Sequence, residues 1–224
     1  MCGMPPATHT RRERERDIVD ATRALFDERG LQDAPIEEIA RAVGINKALI
    51  YRVFASKEEL FVLTVTTYLD ELRELAADTD DLRSALDAFT RFCLRYPAFL
   101  DCALSLMRRP APELEKRVGE GTWLRLGRSM AACLAPLAAI LEAEGVEDPD
   151  FTANRLYTQV LGTMHLARVG VAVREAAPGV PGAFPLDPER VRAACVDDAL
   201  ALVRSAAGPR ASTPPAADRP PARA

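Results

Sequence analysis

Apolar residues recur at three- and four-residue spacing along most of this chain, and strand-like alternation is hard to find. The pattern predicts helices throughout. From Arg11 to Arg29 the residues Ile18, Ala21, Leu25 and Phe26 share one face, with Gly30 following as a C′ residue. Pro35 suits the first turn of a second helix, where Ile36, Ile39, Ala40 and Val43 line up again. Gly44 supplies a sharp turn, Ile45 plugs the corner and Asn46 is placed to cap a third helix. In that helix Leu49 or Ile50, Val53 and Phe54 pack inward, leaving Lys47, Ala48, Tyr51 and Arg52 outward. Ser56 and Glu59 form a capping box for a fourth helix, to about Ala77, and Lys57 stands in its first turn beside exposed N–H groups.

Asp80 or Asp81 opens a further helix with Leu82, Leu86, Phe89, Cys93 and Tyr96 inward, ended by Pro97. A shorter one spans Ala98 to about Arg108, and a long segment runs from Glu113 to Glu144, where Pro136 should kink it. Asp148-Pro149 starts a helix to about Glu175, and Asp187-Pro188 starts another to about Ala207. Between these two, residues 177 to 185 read as a Pro/Gly loop. The fold class is all-α, a three-helix head with a larger helical body. Its expected divisions are a flexible arm (1–10), the head (11–56), the body (57–207) and a Pro- and Ala-rich disordered tail (208–224).

Composition narrows the function classes. With 48% hydrophobic residues in 224, the chain has the material for a sizeable core. A net charge of −4 does not announce a nucleic-acid binder, yet such binding needs only a local basic surface. The longest uncharged apolar run, Met130 to Leu141, is too short to span a bilayer, and no secretory signal is visible, so a cytoplasmic protein is expected. Five scattered cysteines without a C-x-x-C pair argue for small buried hydrophobes rather than disulfides or a metal site. Two histidines, no phosphate loop and no nucleophile arrangement leave an enzyme poorly supported, and no cofactor is expected.

Two short helices, a glycine turn and a cationic outer face are the parts of a helix-turn-helix, whose second helix enters a DNA major groove. An ordinary helical hairpin with a solvated charged face would read the same. The wider pattern separates them. Ala24-Leu25-Phe26, Gly30, Ile39-Ala40-Arg41-Ala42-Val43-Gly44, Tyr51-Arg52-Val53-Phe54 and Ser56-Lys57-Glu58-Glu59-Leu60 together resemble the N-terminal domain of TetR-family transcriptional regulators.

The resemblance implies a DNA-reading head on a helical ligand-binding and dimerisation domain. By position it implies that Lys47, Ala48, Leu49, Tyr51 and Arg52 face DNA, with Lys57 on the backbone. Arg11 and Arg12 would reach phosphates from the arm, adding affinity without sequence information. Two positions depart from the family's habit. Pro35 replaces a common hydroxyl residue, removing a phosphate contact, and Leu49 stands where a small or hydroxyl residue is frequent. The expected partners are double-stranded DNA bearing a palindromic operator, a small-molecule effector and a second copy of the chain. A helical module acting on protein partners without an operator is the alternative.

For the effector, Phe89, Phe92, Tyr96, Phe99, Met107, Trp123, Leu126, Met130 and Tyr157 are candidate walls of an apolar cavity. Asn154, Gln159, Thr163, His165 and Arg168 are candidate polar groups beside them, and a hydrophobic or amphipathic molecule is expected. For the dimer, Leu156, Val160, Met164 and Ala167 form one stripe, and Val191, Cys195 and Leu202 another. These stripes serve equally well as faces of the chain's own core.

Overall fold

A computed structural model describes residues 10–30 and 35–206. The expected arm lies outside them except for Thr10, and so does the expected tail. Among the described residues, α1 (Arg11–Arg29), α2 (Ile36–Val43) and α3 (Lys47–Val53) form the head, and α4 (Lys57–Ala77) runs from it into the body. The body continues with α5 (Leu82–Arg95), α6 (Pro97–Met107), α7 (Ala111–Val118), α8 (Glu120–Ala143), α9 (Pro149–Val169) and α10 (Pro188–Ala206). Between α9 and α10 a hairpin of β1 (Val171–Ala177) and β2 (Val180–Pro185) interrupts the helices.

Most boundaries follow local chemistry. Thr10 and Glu13 close a capping box at the start of α1, so Arg11 and Arg12 sit on its first turn rather than on an arm. Pro35 stands one residue before the second helix, as its N-cap, with no side-chain cap bond. Gly44 is left-handed (φ 71°), and the Ile45 N–H returns to the Ala40 carbonyl at 2.9 Å, a Schellman closure. Asn46 Oδ1 accepts from the Leu49 N–H at 2.9 Å, capping α3. Ser56 caps α4 through the Glu59 N–H, but the Glu59 carboxylate reaches the Ala55 N–H instead of Ser56.

The segment expected as one helix from Glu113 breaks at Gly119 (φ 77°), which ends α7 and begins α8. Pro136 lies inside α8, and the helix continues to Ala143. By length and composition α8 could cross a membrane; here it packs on α4 and α9 with a third of its apolar stretch, 33%, buried. The helix after Asp148 stops at Val169, because Gly170 (φ 73°) turns the chain out. The residues expected to continue it, and the loop expected after them, form the antiparallel hairpin.

α4 packs on α8, α8 on α9, α9 on α10, and α10 on α5. Tyr68, Leu69, Phe92, Phe99, Leu141 and Leu156 are among the fully buried side chains of this layered core. Cys93, Cys102, Cys133 and Cys195 are free and buried. Burial pushes the Cys195 thiol up to about 11 and that of Cys133 to about 12, so both are unreactive core residues.

Candidate nucleic-acid interface and the cavity behind it

Helix α3 shows the head's two-sidedness. Ile50 and Phe54 are each 1% exposed and lock the helix onto α1 and α2. Lys47, Ala48, Tyr51 and Arg52 point away and are exposed, whereas Leu49 is half-buried and only partly available. Lys47 Nζ is bonded to Glu37 Oε1 of α2 at 2.5 Å; that hydrogen bond raises the lysine and lowers the carboxyl from their ordinary values. Arg41, Arg52 and Lys57 are exposed and hold no ion pair among the described residues. Exposed Arg11 and Arg12 add cations at the start of α1. A chain of net negative charge thus carries exposed cations on α1, α2, α3 and the first turn of α4.

Two sets of contacts tie this head to the body. In the first, the Tyr96 hydroxyl at the end of α5 donates to Glu71 Oε1 at 2.8 Å, and Glu71 also pairs with Arg23 of α1. The Arg23 guanidinium lies 4.2 Å from the Tyr68 ring centroid and 5.2 Å from that of Tyr96. In the second, the Thr122 hydroxyl on α8 donates to Glu59 Oε1 at 2.8 Å, and the Ser56 hydroxyl donates to the Arg117 carbonyl at 3.1 Å. Glu59 holds the Ala55 N–H at the α3–α4 corner, so α8 grips the foot of α3.

The same α8 lines a small apolar pocket farther along. Thr122 and Cys133 are about 16 Å apart along the axis at 1.5 Å per residue. The cavity, about 30 Å³, is walled by Leu72, Leu86, Phe89, Cys133, Leu137 and Tyr157, among others. Phe89 and Tyr157 stack at 5.5 Å between centroids. Burial pushes the Tyr157 phenol well above its ordinary value, and its hydroxyl has no hydrogen-bond partner among the described residues.

Of the expected cavity walls, only Phe89 and Tyr157 meet here. Phe92, Tyr96 and Phe99 instead cluster around Tyr68 beneath the head. Met107 is 47% exposed at the end of α6, and Trp123, Leu126 and Met130 belong to other parts of α8 than the cavity lining. Thr163 faces α10, bonded to Cys195, and Gln159 opens into a groove beside Leu202. Sequence spacing missed Leu72, Ala76, Cys133 and Leu137, since ordinary core leucines and alanines carry no sign of which of them border a void. A second cavity of about 250 Å³ lies between head and body, where Phe26, Ile39, Leu60 and Phe61 meet Lys57 and Arg109.

The stripes expected at a dimer interface are turned inward. Leu156, Val160, Met164, Ala167, Val191 and Cys195 are each at most 8% exposed within the single chain, and Leu202 is partly buried. They fill the packing between α9, α10 and α5. The outer face of α9 instead presents Phe151, Arg155, Thr158, Gly162, Leu166 and Val169, spaced to fall in one row.

Comparisons with known proteins agree with this architecture. The family model described as bacterial regulatory proteins, tetR family, matches residues 18–63. The transcriptional repressor KstR2 of Rhodococcus jostii is 36% identical over 156 residues, covering 67% of this chain and 74% of that protein. The transcriptional activator FasR of Mycolicibacterium smegmatis is 33% identical over 90 residues, covering 37% of this chain and 41% of that protein. A TetR-family regulator from Streptomyces coelicolor shares the fold with a TM-score of 0.59 at 19% identity, covering 88% of this chain and 82% of that one. A transcriptional regulator from Rhodococcus sp. Rha1 gives 0.57 at 20% identity over 86% and 97%. With a head matched by the family model and a relative 36% identical over 67% of the chain, this chain belongs to the TetR family of DNA-binding transcriptional regulators.

Proposed function

We propose that the chain is a ligand-responsive repressor that binds a palindromic operator as a dimer and is released by a small hydrophobic or amphipathic effector. The observation that carries the DNA reading is the outer row of α3. Lys47, Ala48, Tyr51 and Arg52 stay clear of the chain's own packing while Ile50 and Phe54 are sunk in it. Lys57, Arg11 and Arg12 would hold phosphates, and half-buried Leu49 would offer an apolar edge to a thymine methyl. One head contacts half a site, so two-fold pairing is expected, through the outer face of α9. The sense of regulation follows the KstR2 likeness, since that relative is a repressor.

For the effector we favour the space between α4, α5, α8 and α9. It is apolar, it lies on the helix that holds the α3–α4 corner, and Tyr157 offers an uncommitted hydroxyl. At about 30 Å³ it must open to admit more than a water-sized group. An effector favouring the opened body would weaken DNA binding by the factor by which DNA weakens effector binding.

Selection of bound fragments from sheared genomic DNA tests the first part. A two-fold symmetric motif is expected, and Lys47→Ala with Tyr51→Ala should reduce affinity for it at least tenfold. Failure to enrich any symmetric motif sinks the operator reading. Saturable fluorescence of N-phenyl-1-naphthylamine, abolished by the cavity-filling Ala85→Phe in a folded variant, tests the second.

A further inference from the structure

The hairpin between α9 and α10 is built as if one of its sides were meant to be covered. Paired residues in an antiparallel ladder share a side, so the register places Val171 with Pro185, Val173 with Ala183, and Glu175 with Pro181 on one face. All six are exposed, Val173 by 74%. The opposite face closes on itself. The Phe184 ring folds over Gly182, so near that an added Cβ would stand 3.0 Å from the ring, and the Arg174 guanidinium caps Phe184 at 4.0 Å from its centroid. Neither strand packs extensively on a helix among the described residues; each has the other as its only substantial neighbour. An isolated two-stranded hairpin is marginal in water, and this one spends its valines and prolines on the side facing solvent.

The exposed face continues a row that starts elsewhere. Phe151 (60% exposed), Leu166 and Val169 lie on the outer side of α9, and Gly170 turns the chain directly into Val171. Gln159, beside that row in the groove against Leu202, has a buried amide oxygen with no donor among the described residues. Area makes the same point. A helix of this length offers a face roughly 30 Å long and about 10 Å wide, about 300 Å² per partner, well short of the roughly 800 Å² per partner of a standard interface. A hairpin face of about 20 Å by about 10 Å adds about 200 Å² per partner to that row.

We infer that the hairpin is a dimerisation arm: its Val171–Val173–Pro185 face lies on a second copy of this chain, extending the α9 interface. This rests on the dimer reading proposed above. Sedimentation of the full chain across nanomolar to micromolar concentration, with Val173→Lys, Val173→Thr and Val169→Lys, tests it. Val173→Lys should weaken dimerisation at least tenfold, and Val173→Thr, which keeps the branched strand-former, by less. Helical circular dichroism should be unchanged in each. A wild-type chain that stays monomeric overturns the dimer reading itself. A wild-type dimer that Val169→Lys weakens but Val173→Lys leaves intact overturns the arm alone. A photo-reactive benzoylphenylalanine at position 173 should join two protomers into a species of twice the chain's mass; cross-linking only within one chain also overturns the arm.

Discussion

The Tyr68 hydroxyl of α4 donates to Asp27 Oδ1 of α1 at 2.7 Å, while the face of the same ring carries the Arg23 guanidinium. Head and body are therefore joined through a side chain that is itself fully buried. Arg23 brings Glu71 into the cluster, and Glu71 brings Tyr96, so α1, α4 and the α5–α6 junction meet at one polar knot in an aromatic surround. Such a knot has few alternative arrangements, because each member left alone would be a poorly satisfied polar group. It gives the head a defined orientation on the body.

Tyr68→Phe keeps the ring and removes only the donor. The expected cost is about 1.5 to 3 kcal/mol, the usual range for one hydrogen bond to a charged group. Urea unfolding at neutral pH measures it. A variant as stable as the wild type would mean that Asp27 is satisfied equally well by water.

Acid should loosen the same knot through Glu71. Burial alone would raise its carboxyl, but the bonds from Arg23 and Tyr96 outweigh burial and leave it below its ordinary value. A carboxyl depressed in the folded state contributes stability that is complete above the unfolded value, about 4.3. That contribution is lost as pH falls through the folded value. Stability is expected to be level in this respect from neutrality to about pH 5 and to decline below. Glu71→Gln should be less stable at pH 7 and show a shallower acid decline, with Asp87, also held low, supplying part of the rest. An unchanged acid slope in Glu71→Gln excludes this assignment.

The head was legible in sequence because its signals act within four residues. Gly44, Asn46 and Ser56 each do locally what their chemistry prescribes, and the structure returns a left-handed turn and two caps at those positions. The hairpin was not legible. Val171 and Val173 continue an apolar pattern that a helix also tolerates, and the Pro/Gly cluster after them reads equally as loop or turn. Only the positive φ of Gly170 and Gly179 separates the outcomes. Sequence left the α9 stripe open between partner and core for another reason. The strongest apolar periodicity on α9 marks the face owed to the chain's own core, and the outward row is diluted by Arg155, Thr158 and Gly162.

Gly44 gives a test of the recognition turn. Its φ of 71° is one that L side chains rarely adopt, yet nothing lies within 4 Å of an added Cβ. Strain rather than collision then sets the cost, about 1 to 2 kcal/mol for alanine. Asparagine tolerates the left-handed region better than alanine, and valine tolerates it worst. The expected order of stability is glycine, asparagine, alanine, valine, read from thermal unfolding, with DNA binding falling in the same order. If Gly44→Val unfolds no earlier than Gly44→Asn, backbone strain is not the controlling quantity.

On the proposed DNA reading, the Lys47–Glu37 pair governs how α3 meets a polyanion. Both side chains are about half exposed, so the pair adds little to stability. Its effect on DNA binding should be larger. Lys47 has to exchange Glu37 for a phosphate or a base edge, and the carboxylate stays close to the approaching backbone. Glu37→Gln removes that charge and keeps the shape. It should tighten binding to a selected operator several-fold at low salt, and the gain should shrink as salt screens it over a Debye length of about 8 Å at physiological strength. Lys47→Ala should lower the slope of log affinity against log salt by about one if the ammonium sits on a phosphate. It should instead relax preference at one base position, with little change of slope, if the ammonium reads a guanine. Fluorescence anisotropy with operator DNA over a salt series distinguishes these outcomes. Equal affinity of Glu37→Gln and wild type at the lowest salt would put the carboxylate outside the path of the DNA.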